Sequence, residues 1–266
     1  MKFKIGKSIT GESEFGEIYH MACAYKLDEN VTIEFEEFPA GETFFKTCFT
    51  ENKRDQTNEE ISHASKSANI IQQRFFSNCM NDCVKKINQL AEDEDWKLPH
   101  KFQQLCDDPA DKVLLWHRSK KYQSQRNSSF LLIKQMRDLC KRNDTLPVLI
   151  GPKLEKHECE DLTDFWKEDF FQEPNSIAKQ LWSLSFLFKK GGAIASLGVM
   201  SGAMDGLSML FGYKTVFLAR HQDATPRMQK VSSSIPNLIW HPVEFREKLT
   251  ILSEAHLNSL ESKIWC

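Results

Sequence analysis

Val113-Leu-Leu-Trp116, with His117 and Arg118 directly after it, is a wholly apolar run with a cation at its exit. A run this short, with Pro109 upstream and a polar loop downstream, reads as a strand covered on both faces, as strands inside a parallel sheet are. The unit then repeats. Ser128 to Arg142 is apolar at helical spacing, and Val148 to Ile150 is a second buried strand that ends at Gly151. After a polar connection come a helix over Ser176 to Lys189, a short strand over Gly192 to Ser196, a loop at Met200 to Gly202, a helix over Ala203 to Phe211 and a strand over Thr215 to Leu218. Strands alternating with helices at this interval predict parallel βαβ units and an α/β, doubly wound sheet.

Upstream, the acidic run Glu92-Asp-Glu-Asp95, with Pro99 and Pro109 after it, interrupts the pattern. The domain boundary is expected there, dividing the chain into residues 1–110 and 111–266. The first part opens as an open α/β sheet does. A strand is predicted over Lys2 to Lys7, a turn-rich loop over Ser8 to Gly16, a helix over Glu17 to Lys26 and a strand over Val31 to Phe35. Thr50 to Glu60 reads as an exposed loop and Ile61 to Leu90 as helical, in one piece or two. Downstream, Pro242 to Ser262 is predicted to be helical and to pack back across the sheet or the domain junction.

With 266 residues the chain is long enough for a large core, and 41% hydrophobic against 27% charged residues is a globular balance. Lys and Arg total 35 against 37 Asp and Glu, a net charge of -2 that disfavours bulk nucleic-acid binding. No secretory leader or spanning segment is legible, so the expected location is cytoplasmic. The eight cysteines are scattered in a chain too large to need staples, and read as reduced, mostly buried thiols. Cys79 and Cys83 share a helical face and His157 lies near Cys159, but no second pair has ligand spacing. No metal is assigned. Asp93-Glu-Asp95 has the Asp-x-Asp form of a metal-binding motif, yet it follows a polar helical stretch, not a strand, and reads as a solvated turn. A nucleophile elbow, a Walker loop and a His-Glu-x-x-His motif are all missing from the sequence, which weakens hydrolase, NTPase and metalloprotease readings.

In open parallel sheets, ligands bind beyond the carboxyl ends of the strands, where loops converge and helix N-termini present unpaired N–H groups. Three loops qualify: Gly6 to Gly16, His117 to Asn127, and Met200 to Gly206 with Ala219 to Arg227. In the second, Arg118 offers a planar fork matched to phosphate oxygens, with Arg126 and Asn127 close by in sequence. In the third, Ser201 and Gly202 can cap a helix and leave amides open to an anion, with Gly206 one turn on. Asp205 fits either a capping role or a ligand contact. Arg227, together with His221, is positioned to close over a base or ribose. In the first loop, Glu12 beside Gly11 leads the ionisable groups able to serve as a general base, ahead of Glu14, Glu17 and His20.

The pattern Leu-Leu-Trp-His-Arg118, Tyr122, Arg126-Asn-Ser128, Val-Leu-Ile-Gly151, Ser201-Gly-Ala-Met-Asp-Gly206, Gly212, Thr215 to Leu218 and Arg227-Met228 resembles the donor domain of two-Rossmann (GT-B type) glycosyltransferases. The similarity, nearest to the fucosyltransferase-like members, spans roughly Val113 to Trp240. The resemblance implies two Rossmann-like lobes with a ligand cleft between them, and a nucleotide diphosphate-sugar held mainly by the second. It also implies transfer to an acceptor with inversion and without an obligatory metal or cofactor. In that reading Arg118 neutralises the leaving diphosphate, while Ser201, Gly202 and Asp205 line the donor pocket. The alternative is a transferase-like protein that holds a nucleotide or sugar without turning it over.

Overall fold

The structure, a computed structural model, describes residues 2–6, 18, 19, 22, 25, 32–36, 38–49, 73–119, 127–172, 174–199, 202–219, 235, 237–243 and 251–265. The chain begins with strand β1 (Lys2–Gly6), which pairs in parallel with β2 (Thr32–Glu36), Lys2 standing opposite Thr32. Helices α1 (Pro39–Phe49), α2 (Gln73–Asp93) and α3 (His100–Asp107) follow. Then the alternation predicted from the sequence sets in: β3 (Lys112–Trp116), α4 (Phe130–Arg142), β4 (Leu146–Gly151), β5 (Glu160–Thr163), α5 (Ser176–Lys189), β6 (Ala193–Val199), α6 (Gly202–Met209), β7 (Thr215–Ala219), β8 (Leu238–Pro242) and α7 (Glu254–Trp265).

Strands β3 to β8 form one parallel sheet in the spatial order β5-β4-β3-β6-β7-β8. The chain winds outward from β3 to β5, returns to the other side of β3 as β6, and winds out again to β8. This is the Rossmann-like order, with its reversal between β3 and β6. Every residue of β3 and β7 is buried, which explains why both are continuous apolar runs. Val113 and Leu115 face α4 and α7, where Leu132, Ile133, Met136, Leu257 and Leu260 cover them. Leu114 and Trp116 face the opposite layer, with Leu181 of α5 and Met204 of α6. Right-handed crossovers account for this division, because α4 leaves β3 in one direction and α6 leaves β6 in the other.

The layer over Leu114 and Trp116 also contains Ile18, Tyr19, Phe44, Phe49, Met80 and Ile87, so the two halves of the chain share one buried cluster. Among the described residues the N-terminal half contributes a two-stranded pair, helices α1 to α3, and the helical residues Ile18, Tyr19, Ala22 and Tyr25 ahead of them. Four elements went unread in the sequence: α1, α3, β5 and β8. Of the C-terminal helix expected over Pro242 to Ser262, Pro242 instead closes strand β8 and the described helix covers Glu254–Trp265, while residues 244–250 lie outside the described residues. Proline is tolerated there because β8 is an edge strand, paired on one side only. The strand expected over Gly192 to Ser196 runs on to Val199. No helix among the described residues is long and apolar enough to cross a membrane.

Lys112 opens β3 with its side chain fully buried. Its ammonium donates to the carbonyls of Asp108 at 2.8 Å and Ala110 at 2.6 Å, and the Asp108 carboxylate lies 3.8 Å away. The cation thus ties the turn after α3 to the start of the central strand. Lys112→Met fills the space but leaves those acceptors unpaired, and is expected to lower unfolding free energy by about 1–3 kcal/mol. Urea denaturation measures it, and a loss too small to resolve would show that the buried cation does not brace this turn.

Candidate functional site

β3 and β6 lie side by side with Trp116 level with Gly198, so their carboxyl ends emerge together at the point where the sheet reverses. In open parallel sheets a ligand crevice is expected at such a reversal, and residues 120–126 and 200–201 of the two connections that follow lie outside the described residues. Glycine lines both flanks of the β3 terminus. A Cβ on Gly198 would stand 2.7 Å from the Trp116 Cβ and 2.8 Å from its carbonyl oxygen. On the other flank, Gly151 has φ +133°, and a Cβ there would lie 2.1 Å from the His117 carbonyl oxygen. Three strand ends are thereby drawn closer together than side chains allow.

The loop after β3 is fastened at its base. The His117 amide donates to the Ile150 carbonyl at 2.7 Å, extending the ladder past the strand. Ser128 then closes the loop from the other end: its amide donates to the Arg118 carbonyl at 2.9 Å, and its Oγ accepts from the Arg118 amide at 3.1 Å. Arg118 is 8% exposed and its Nη1 donates to Asn127 Oδ1 at 3.0 Å. A cation is therefore held at the crevice by its own loop. Ser129 is the N-cap of α4, its Oγ accepting from the Leu132 amide at 2.9 Å. The earlier amides of that helix have no intrahelical acceptor, and with the helix dipole they favour an anion beside Arg118.

On the β6 side, Gly202 opens α6, and Asp205 in its first turn is buried. The Asp205 carboxylate lies near the fully buried Tyr19. The Tyr19 phenol is held well above its ordinary pKa, chiefly by burial, with Cys83, Asp205 and Cys48 adding to the effect. Gly206 faces the same interior: a Cβ would meet Leu181 at 2.6 Å and the Tyr19 hydroxyl at 2.7 Å. Of the predicted binding residues, Arg118 and Asn127 are joined by a hydrogen bond, Gly202 begins α6, and Asp205 and Gly206 pack beside Tyr19. Gly11, Glu12, Arg126, Ser201 and Arg227 lie outside the described residues.

The sequence reading missed Tyr19, which carries no motif and meets α6 only through the fold. It also passed over Ser129 as a cap, although a serine immediately before a helical apolar pattern is a start signal. Glu94, in the acidic turn after α2, accepts from the Trp96 indole at 2.7 Å and from Asn175 at 2.8 Å, far in sequence from the strand ends. Beside β5, the Cys159 amide donates to His157 Nδ1 at 3.1 Å, a local turn contact. Among the described residues no group of three or more His, Cys, Asp or Glu is placed to hold a metal ion. No family model matches the chain, and no curated protein or solved structure is significantly similar to it.

Proposed function

We propose that the crevice between β3 and β6 binds a nucleoside diphosphate-sugar, and that the protein is a GT-B-like glycosyltransferase passing the sugar to an acceptor with inversion and without a metal. The observation that supports this most directly is the reversal of strand order beside a buried arginine. Cations and helix N-termini at such a crevice neutralise a diphosphate, and a diphosphate is the leaving group of nucleotide-sugar transfer. In this reading Arg118 steadies the leaving group, Asn127 orients Arg118, and the start of α6 at Gly202, after Ser201, supplies amides to the second phosphate. Glu12 takes the acceptor proton, with Gly11 admitting the acceptor and Arg126, Arg227 closing on the nucleotide. Asp205 and Gly206 set the seat of α6 through Tyr19.

A second reading, a ligand-binding protein without turnover, is favoured by the burial of Asp205 beside Tyr19, which turns one expected donor contact toward the core. Both readings share the diphosphate site. Thermal denaturation with UDP, GDP, UDP-glucose and GDP-fucose tests it, since a ligand that binds the folded state raises apparent stability by mass action. At a hundredfold excess over the dissociation constant, about 2.7 kcal/mol of stabilisation is expected. No upward shift with any nucleoside diphosphate at millimolar concentration would sink both readings, while a shift without sugar release would select the second.

A further inference from the structure

Helix α7 is fastened to edge strand β8 by a chain of three basic side chains. The His241 ring, 2% exposed on β8, stands between two groups of α7. Its Nδ1 lies 3.0 Å from the Lys263 Nζ and its Nε2 lies 2.9 Å from the His256 Nδ1. The chemistry fixes the proton positions. An ammonium can only donate, so His241 Nδ1 is the acceptor, His241 Nε2 carries the hydrogen, and His256 Nδ1 receives it. Lys263 also reaches the Trp240 carbonyl at 3.4 Å. One more proton on the His241 imidazole breaks the chain, because it sets an Nδ1–H against the Lys263 ammonium.

We propose that this chain is an acid-sensitive clasp, which holds α7 on the sheet while the His241 imidazole is neutral and loosens it when His241 takes up a proton. The titratable groups acting on His241 are Lys263 and His256, both from α7. Elsewhere along the helix, Lys214 at the foot of β7 donates to the Ile264 carbonyl at 3.1 Å, Glu261 accepts from Asn143, the C-cap of α4, at 2.8 Å, and Glu254 is exposed in the first turn. Burial, then Lys263 and His256, push the His241 pKa down to about 4. The sign follows. A released His241 binds protons below its ordinary pKa of about 6.5 and the docked one does not until about 4, so docking weakens as pH falls through that window and returns as pH rises.

The buried Leu257, Leu260 and Ile264 keep α7 associated with the core, so acid raises the frequency of opening without melting the helix off. The opening reaches the candidate site's helix through two ties. The Gln135 side chain of α4 donates to the Leu252 carbonyl at 2.9 Å and accepts from its amide at 2.7 Å, and Asn143 holds Glu261. Helix α4 is thus braced by the segment that the clasp controls.

Hydrogen exchange of the whole chain, corrected for intrinsic rates, tests this at pH 7 and pH 5. Protection of the amides of residues 254–265 is expected to fall by about 20-fold, with α5 amides as the unchanged reference. His241→Gln retains an acceptor for Lys263 and a donor for His256 but takes up no proton, and is expected to flatten that fall. Equal losses in α5 and α7, or an undiminished fall in His241→Gln, would overturn the clasp. Should that variant fail to fold, imidazole nitrogen spectra of the unaltered protein decide: a neutral Nε2–H His241 with a midpoint below pH 5 supports it, and a midpoint near pH 6.5 overturns it.

Discussion

Gly151→Ala is expected to cost about 3–5 kcal/mol of stability, among the largest losses a single methyl group produces. Two penalties coincide. The residue holds φ +133°, where L side chains rarely sit, and the new Cβ would lie 2.1 Å from the His117 carbonyl oxygen and 2.9 Å from the carbonyl carbon. The obstacle is backbone, so no rotamer change relieves it. The β4 chain must withdraw from β3, and the hydrogen bond from the His117 amide to Ile150 opens with it. Gly198→Ala is the natural comparison, since its Cβ would meet Trp116 at 2.7 Å and 2.8 Å without a positive φ, and a smaller loss is expected. Urea unfolding of the two variants measures both. A Gly151→Ala protein within 1 kcal/mol of the parent would mean that the strand ends do not approach as described.

The sheet was legible because buried parallel strands need apolar residues on both faces, and Val113 to Trp116 and Thr215 to Leu218 supply them without interruption. Helix α5 was legible to its ends: Ile177, Ala178, Leu181, Trp182 and Leu184 repeat on one face, and Gly191 and Gly192 stop it. Strand β5 reads Glu-Asp-Leu-Thr, a polar edge strand held by its neighbour's ladder, and nothing local announces it. Helix α1 crowds Phe44, Phe45 and Phe49 into weak helix formers, so its stability comes from the core it fills, not from propensity. Helix α3 lies between two prolines that mark breaks, although Pro99 stands just before the first turn, where a missing N–H costs nothing. At the candidate site, Arg118 was legible as the cation past a buried strand. The packing of Asp205 and Gly206 against Tyr19 was not, because it depends on residues brought together only by the folded core.

Arg118→Ala is expected to weaken GDP and UDP binding by at least 10-fold and up to about 100-fold, the equivalent of one charge-assisted contact of about 1.5–3 kcal/mol. The buried setting argues for the upper end. At 8% exposure the guanidinium is shielded from bulk water and salt, and the Asn127 bond holds it in one orientation before a ligand arrives. The same burial means that alanine carries a stability cost, since Asn127 loses a donor and the loop base loses packing. Affinity must therefore be measured by calorimetry at a temperature where both proteins are folded. Arg118→Lys separates charge from geometry: an ammonium keeps the charge but not the planar fork, and an intermediate loss is expected if two phosphate oxygens are gripped at once. Asn127→Ala leaves the guanidinium in place but unsteered, and is expected to cost less than Arg118→Lys. Equal affinity for GDP in the parent and Arg118→Ala proteins would remove the arginine from the site and return the loop after β3 to a purely structural role.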